Sequence, residues 1–157
     1  MKTLVLGLGN PLLTDDGVGL RVAQTLRPLL LGRPDVAVEE DYRGGLRLME
    51  RMVGYDRSIV VDALCSGDEP GTIRCLQVQD VPTQHTASAH DANLSTALRF
   101  GHRLGASLPD PDDVLVIGIE AADVTTFGEE CTPRVNAAIP RAVKTVLAAL
   151  DEQGAEP

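Results

Sequence analysis

The sequence predicts an α/β fold: one domain in three layers, αβα, around a mostly parallel twisted sheet of about five strands. Three observations carry this reading. Apolar runs of strand length alternate with stretches whose apolar residues recur at helical spacing. The first such strand passes through a glycine loop directly into a helix, as half a βαβ unit does. The chain of 157 residues at 43% hydrophobic content is enough for one real core and too little for two ordinary ones, so residues 1–157 form a single domain.

Thr3 to Leu6 is a short β-rich run, and Val18, Val22, Leu26 and Leu29 follow on one helical face. Asp35 to Glu39 alternates as a strand, Gly44 and Gly45 punctuate, and Leu46 to Val53 suits a short helix. Ser58 to Val61 reads as a buried strand ending at Asp62, which completes a second crossover. Gly71 to Val78 alternates weakly after the turn signal GDEPG, so an antiparallel strand at an edge is expected. The polar stretch DVPTQHTASAH precedes a helix from about Asp91 to Leu104, and Asp113 to Ile119 is the strongest strand in the chain. The last helix opens at Thr132-Pro133, an N-cap residue followed by proline at the first helical position. Its apolar stripe comprises Val135, Ile139, Val143, Val146, Leu147 and Leu150, with Pro140 expected to kink it and a polar tail expected to fray.

Charge narrows the function classes. A net charge of -9 repels nucleic-acid backbones and anionic membrane faces. No window approaches the ~18 consecutive apolar residues of a membrane span, and MKTLVLGLGN meets glycine before a secretory core can develop. A cytoplasmic protein is expected, its oligomeric state open with a monomer as the default. Cys65, Cys75 and Cys131 are odd in number and lack any C-x-x-C, so they read as small buried hydrophobes in a reducing compartment.

The first loop, VLGLGNPLLTDDGVG, looks at first like a dinucleotide fingerprint. Leu12 occupies the place of its third glycine, and no Gly-Lys-Ser/Thr marks a phosphate loop. Asp15 and Asp16 would repel a pyrophosphate from the helix entry. Neighbouring positions at a helix start do not face the same way, so Asp15 is expected to secure that entry while Asp16 faces elsewhere.

In an open parallel sheet, ligands bind outside the carboxyl ends of the strands. Asp16 follows the first strand, Asp62 ends the third, and His90 closes the long polar loop before a helix. Two carboxylates and an imidazole from three strand ends suit a borderline divalent ion with positions left open. Each also has a plain alternative: Asp62 as a strand-terminating residue, His90 as a cap or surface residue. His85 is a spare ligand candidate, His102 beside Arg103 reads as solvated, and Glu120 and Asp123 could line the crevice, although the acidic loop that carries them reads as a solvated rim.

Four segments, LVLGLGNPLLTDDGVG, YRGGLRLMERMVGYDRSIVVDAL, SAHDANL and VIGIEAADVTTFGEECTPRVNAAIPRAV, resemble the nickel-iron hydrogenase maturation endopeptidases over nearly the whole chain. The resemblance implies an enzyme that removes a C-terminal extension from the precursor of a hydrogenase large subunit after nickel insertion. It implies that Asp16, Asp62 and His90 bind metal, and that the nickel is carried by the substrate, with no organic cofactor. Gly44-Gly45 then match a loop near the cleavage site. One departure is Ala121-Ala122, where many relatives have a proline-containing segment.

A metal ion can polarise a scissile carbonyl and lower the pKa of water, and Asp16 or Asp62 is the candidate general base. Cys65 lies near Asp62 in sequence, yet no C-x-H or triad spacing supports covalent catalysis. Two other readings use the same residues: a nickel-sensing chaperone of the large subunit that does not cut, and a peptidase with its own resident metal.

Overall fold

The structure is a computed structural model and describes residues 1–42, 46–81 and 94–152. Five strands, β1 (Thr3–Leu8), β2 (Val36–Asp41), β3 (Arg57–Leu64), β4 (Ile73–Gln77) and β5 (Val114–Glu120), form one sheet in the order β2-β1-β3-β5-β4. Four α-helices accompany them: α1 (Val18–Leu29), α2 (Leu46–Met52), α3 (Leu94–Arg103) and α4 (Pro133–Glu152). Strands β2, β1, β3 and β5 are parallel, and β4 lies antiparallel on β5 at the edge. The weak alternation of IRCLQ fits an edge strand, whose residues are only half covered.

The pleat divides the core in two. Val5, Ile59, Val61, Ala63, Ile117 and Ile119 point to the face covered by α1 and α4, where they meet Val22, Leu26, Val143 and Val146. Leu4, Leu6, Leu8, Val60 and Val116 point to the other face and pack under Leu48, Met52, Leu94 and Leu98 of α2 and α3. The near-continuous apolar runs of β1 and β3 thus follow from burial on both sides. Truncating a fully buried side chain such as Leu6 to Ala is expected to cost about 2–5 kcal/mol, through lost transfer energy and the cavity left behind.

The chain leaves β1 towards β2 on one side and later returns to place β3 on the other. Between β1 and β3 the strand order therefore reverses, the position at which an open parallel sheet forms its ligand crevice, at the carboxyl ends. The entry to α1 presses into that crevice. Gly19 lies so close to the carbonyls of Leu8 and Val61 that any β-carbon would collide with both. Gly9 does the same against the Asp16 carbonyl.

Several boundaries shift from the sequence reading. Strand β3 runs on to Leu64, so Asp62 lies inside it, paired in register with Gly118, rather than at its end. Helix α4 continues through Pro140 to Glu152. The start expected for α3 at Asp91 lies outside the described residues, as does the tail after Glu152. Cys65 and Cys131 are half-buried, but Cys75 is exposed on the edge strand, against the expectation that all three are buried. Among the described residues no helix is long and apolar enough to cross a membrane.

Candidate active site

The first loop builds the crevice by leaving β1 as a tight turn. Residues Thr14–Gly17 form a single 3-10 turn, and the backbone of Thr14 adopts φ +52°, a left-handed conformation that a β-branched residue rarely takes. The neighbouring β5–α4 loop compensates for this strain. Thr14 N–H donates to the Gly128 carbonyl at 2.9 Å, and its hydroxyl donates to the Thr126 carbonyl at 2.5 Å.

The two adjacent aspartates then separate, as neighbours on a helical turn must. Asp16 is 5% exposed, and its Oδ2 accepts the Asn10 N–H at 2.9 Å, closing the glycine turn beneath it. Asp15 is fully buried and does not cap α1, contrary to the sequence reading. The N-cap of that helix is Gly17, without any side-chain hydrogen bond. The Asp15 carboxylate reaches the β5–α4 loop instead. Its Oδ2 accepts the N–H groups of Ala122 at 2.9 Å and Asp123 at 3.0 Å, and its Oδ1 accepts the Thr132 N–H at 2.7 Å. The Thr132 hydroxyl donates to the same carboxylate at 2.8 and 3.0 Å. The Ala121-Ala122 departure matters here, because a proline at position 122 could not make that bond.

Asp62 is fully buried in β3, and its Oδ1 accepts the Ala63 N–H at 2.8 Å. Pleat alternation puts it on the same face as Val60, the face covered by α2 and α3. The turn carrying Asp16 packs against β3. Asp16, on the turn after β1, and Asp62, inside β3, thus lie toward the carboxyl ends of two neighbouring strands.

His90, His85 and the Gly44-Gly45 pair lie outside the described residues. Leu94, the first described residue after His90, is buried on the Asp62 side of the sheet. Among the described residues no group of three or more His, Cys, Asp or Glu side chains could hold a metal ion. They supply two carboxylates of the expected trio.

Glu120 is a residue the sequence reading misplaced. It is 3% exposed rather than part of a solvated rim. Its carboxylate accepts the N–H groups of Ser66 at 2.8 Å and Gly67 at 3.0 Å, and the Ser66 hydroxyl at 2.6 Å, fixing the loop that follows β3. Asp123 is half-buried. Bonds from Thr126 and Thr125 hold its pKa down at about 2. His102 is also corrected: it is half-buried, with its Nε2 donating to the Pro109 carbonyl at 3.1 Å.

The field of these acids is felt at Cys65, which follows β3. Burial first, then the charges of Glu120, Asp16 and Asp15, push its thiol above the ordinary value. Burial and Asp15 do the same to Cys131, against Arg21. Both sulfurs are therefore neutral thiols near neutral pH and poor nucleophiles, in line with the sequence-based case against covalent catalysis.

Residues 21–149 match the model of the hydrogenase maturation protease family (HycI). The chain belongs to that family. Its relatives include the hydrogenase 2 maturation protease of Escherichia coli, 33% identical over 162 residues that cover 99% of this chain and 94% of the relative. A second, named coenzyme F420 hydrogenase subunit delta, comes from Methanothermobacter thermautotrophicus and is 32% identical over 93% of this chain and 92% of its own.

Among solved structures, the hydrogenase maturating endopeptidase HybD from E. coli superposes with a TM-score of 0.81 at 30% identity, covering 98% of this chain and 94% of its own. A hydrogenase 2 maturation peptidase from a Thaumarchaeota archaeon gives 0.70 at 28% identity, over 96% and 99%. The sheet order and layers are those of the family, and membership supports a peptidase role in hydrogenase maturation. The family match includes Asp62 and begins beyond Asp16, whereas the E. coli relative aligns over nearly the whole chain.

Proposed function

We propose that this protein is an endopeptidase that removes the C-terminal extension of a nickel-iron hydrogenase large-subunit precursor once nickel has been inserted, and that it works in the cytoplasm. The observation that carries the reading is the pair of buried acids, Asp16 on the turn after β1 and Asp62 in the adjacent strand β3, at the reversal of strand order in a chain of the maturation protease family.

In this reading nickel arrives with the substrate. Asp16, Asp62 and His90 complete its coordination, hard and borderline donors that suit a divalent ion. The bound ion polarises the scissile carbonyl. Asp16 or Asp62 takes a proton from the attacking water, and the same group returns it to the leaving amine. Only a loaded precursor assembles this site, so specificity and catalysis share one step. Asp15 and Glu120 tie the first loop, the β5–α4 loop and the loop after β3, which preorganises that part of the crevice.

The test is incubation with purified, nickel-loaded precursor, read by mass spectrometry. Wild-type protein is expected to shorten the precursor, and Asp16→Asn to leave it intact while melting at the wild-type temperature. Normal trimming by the variant would remove Asp16 from the mechanism. An intact precursor with wild-type protein would favour the non-cutting chaperone.

A further inference from the structure

Aromatic residues make up only 3% of the chain and include no tryptophan, yet Phe127 is 84% exposed. It stands on the β5–α4 loop, beside the loop that carries Asp16. Leu12, 52% exposed, precedes Leu13, which forms a parallel bridge with Gly128; Phe127 precedes Gly128 on the other side of that bridge. Gly128 N–H donates to the Leu12 carbonyl at 2.9 Å, so the two backbones run side by side.

Neither loop is loose. Asp15 and Thr132 tie them from below, the Asp123 carboxylate accepts the N–H groups of Thr125 and Thr126 at 3.0 Å each, and the left-handed Thr14 is pinned to Thr126 and Gly128. A fold that holds two large apolar side chains in water on braced loops leaves their burial to a partner. Rigid aromatic side chains at such places lose little entropy on binding.

We infer that Leu12 and Phe127 anchor the docking of the protein substrate, a role that rests on the function proposed above. The patch flanks the crevice, where a protease must hold the body of its substrate while a tail enters. Beyond Phe127 the chain continues through exposed Glu129 and Glu130. The matching surface on the precursor is therefore an apolar socket bordered by lysine or arginine. It binds the folded body of the precursor, and the crevice receives the tail.

Steady-state processing of nickel-loaded precursor tests this, with KM and kcat measured for Phe127→Ser, Leu12→Ser and the double variant. Both positions are exposed, and thermal melts check that the variants fold. The double variant is expected to raise KM roughly tenfold or more, the range of an interface anchor, with kcat within about twofold of wild type. Phe127→Leu, which keeps most of the apolar area, should restore KM. Reversing charge with Glu129→Lys and Glu130→Lys should raise KM at low salt and lose that effect as salt screens it, while the Phe127 effect persists. Phe100→Ser, at a residue 51% exposed on α3, should change neither constant.

Unchanged KM in the double variant, with wild-type trimming intact, overturns the docking role alone. Failure of wild-type protein to trim any loaded precursor overturns it together with the proposed function.

Discussion

At the amino edge of the sheet, charge is met by charge at the surface. Arg33 pairs with Asp35 at 3.1 Å and with Asp151 at 3.3 Å. Arg57, buried, places its guanidinium on the Ala149 carbonyl near the end of α4, at 2.9 Å. At the carboxyl edge, Asp15 and Glu120 are buried and held by N–H and hydroxyl donors. Dipoles of this kind stabilise a carboxylate without cancelling its charge. The contrast separates the Arg33 ion pairs from carboxylates held by dipoles alone, whose charges add to burial in raising the Cys65 thiol.

The largest stability difference should separate Asp15 from Asp35. Asp15→Ala strips the acceptor from three N–H groups and is expected to cost about 2–4 kcal/mol in urea unfolding, given about 1–3 kcal/mol for a buried group left unsatisfied. Asp35→Ala removes an exposed ion pair and should leave the unfolding midpoint within experimental scatter. Equal effects would erase the distinction between the two edges. A smaller loss, about 1–2 kcal/mol, is expected for Glu120→Gln, which keeps the shape but turns one acceptor into a donor facing Ser66.

The field itself can be read at Cys65. A raised thiol pKa means less thiolate at any given pH, so alkylation at pH 8 should be slow against a free thiol and speed up several-fold in Asp16→Asn, as the nearby charge is removed. An unchanged rate would place Asp16 too far away to act on the end of β3.

The smallest effect concerns Asp123, whose pKa of about 2 lies below the ordinary carboxylate value of 3.8. A lowered carboxylate contributes stability above its unfolded value, and that contribution fades as pH falls through the folded one. Asp123→Asn should therefore lose this small contribution at neutral pH, flatten the acid limb between about pH 4 and pH 2, and match wild type below that.

Most of the fold was legible because it rests on local signals. DVLVIGI could be nothing but a buried strand, and the glycines of the first loop announced a tight strand-to-helix turn. The weak alternation of IRCLQ placed β4 at an edge. The positions of Asp16 and Asp62 followed once the strands were parallel, because the carboxyl ends are then shared. What stayed hidden depends on distant partners. Asp15 finds Thr132 at a separation of 117 residues, and no pattern around Asp15 distinguishes that bond from an ordinary helix cap. Glu120 sits in a run of acids that looks solvated, and only the backbone N–H groups of Ser66 and Gly67 explain its burial. Asp62 interrupts an apolar run and so resembles a strand end, yet β3 continues past it opposite Gly118, whose lack of a side chain leaves room for Leu64.

The most direct measurement compares one precursor in two states, nickel-loaded and metal-free, each incubated with wild-type protein and followed by mass spectrometry. Shortening of the loaded form alone is expected if the acidic crevice is completed by the substrate's own ion. Equal shortening of both forms would contradict that, and would leave the carboxylates to act without nickel.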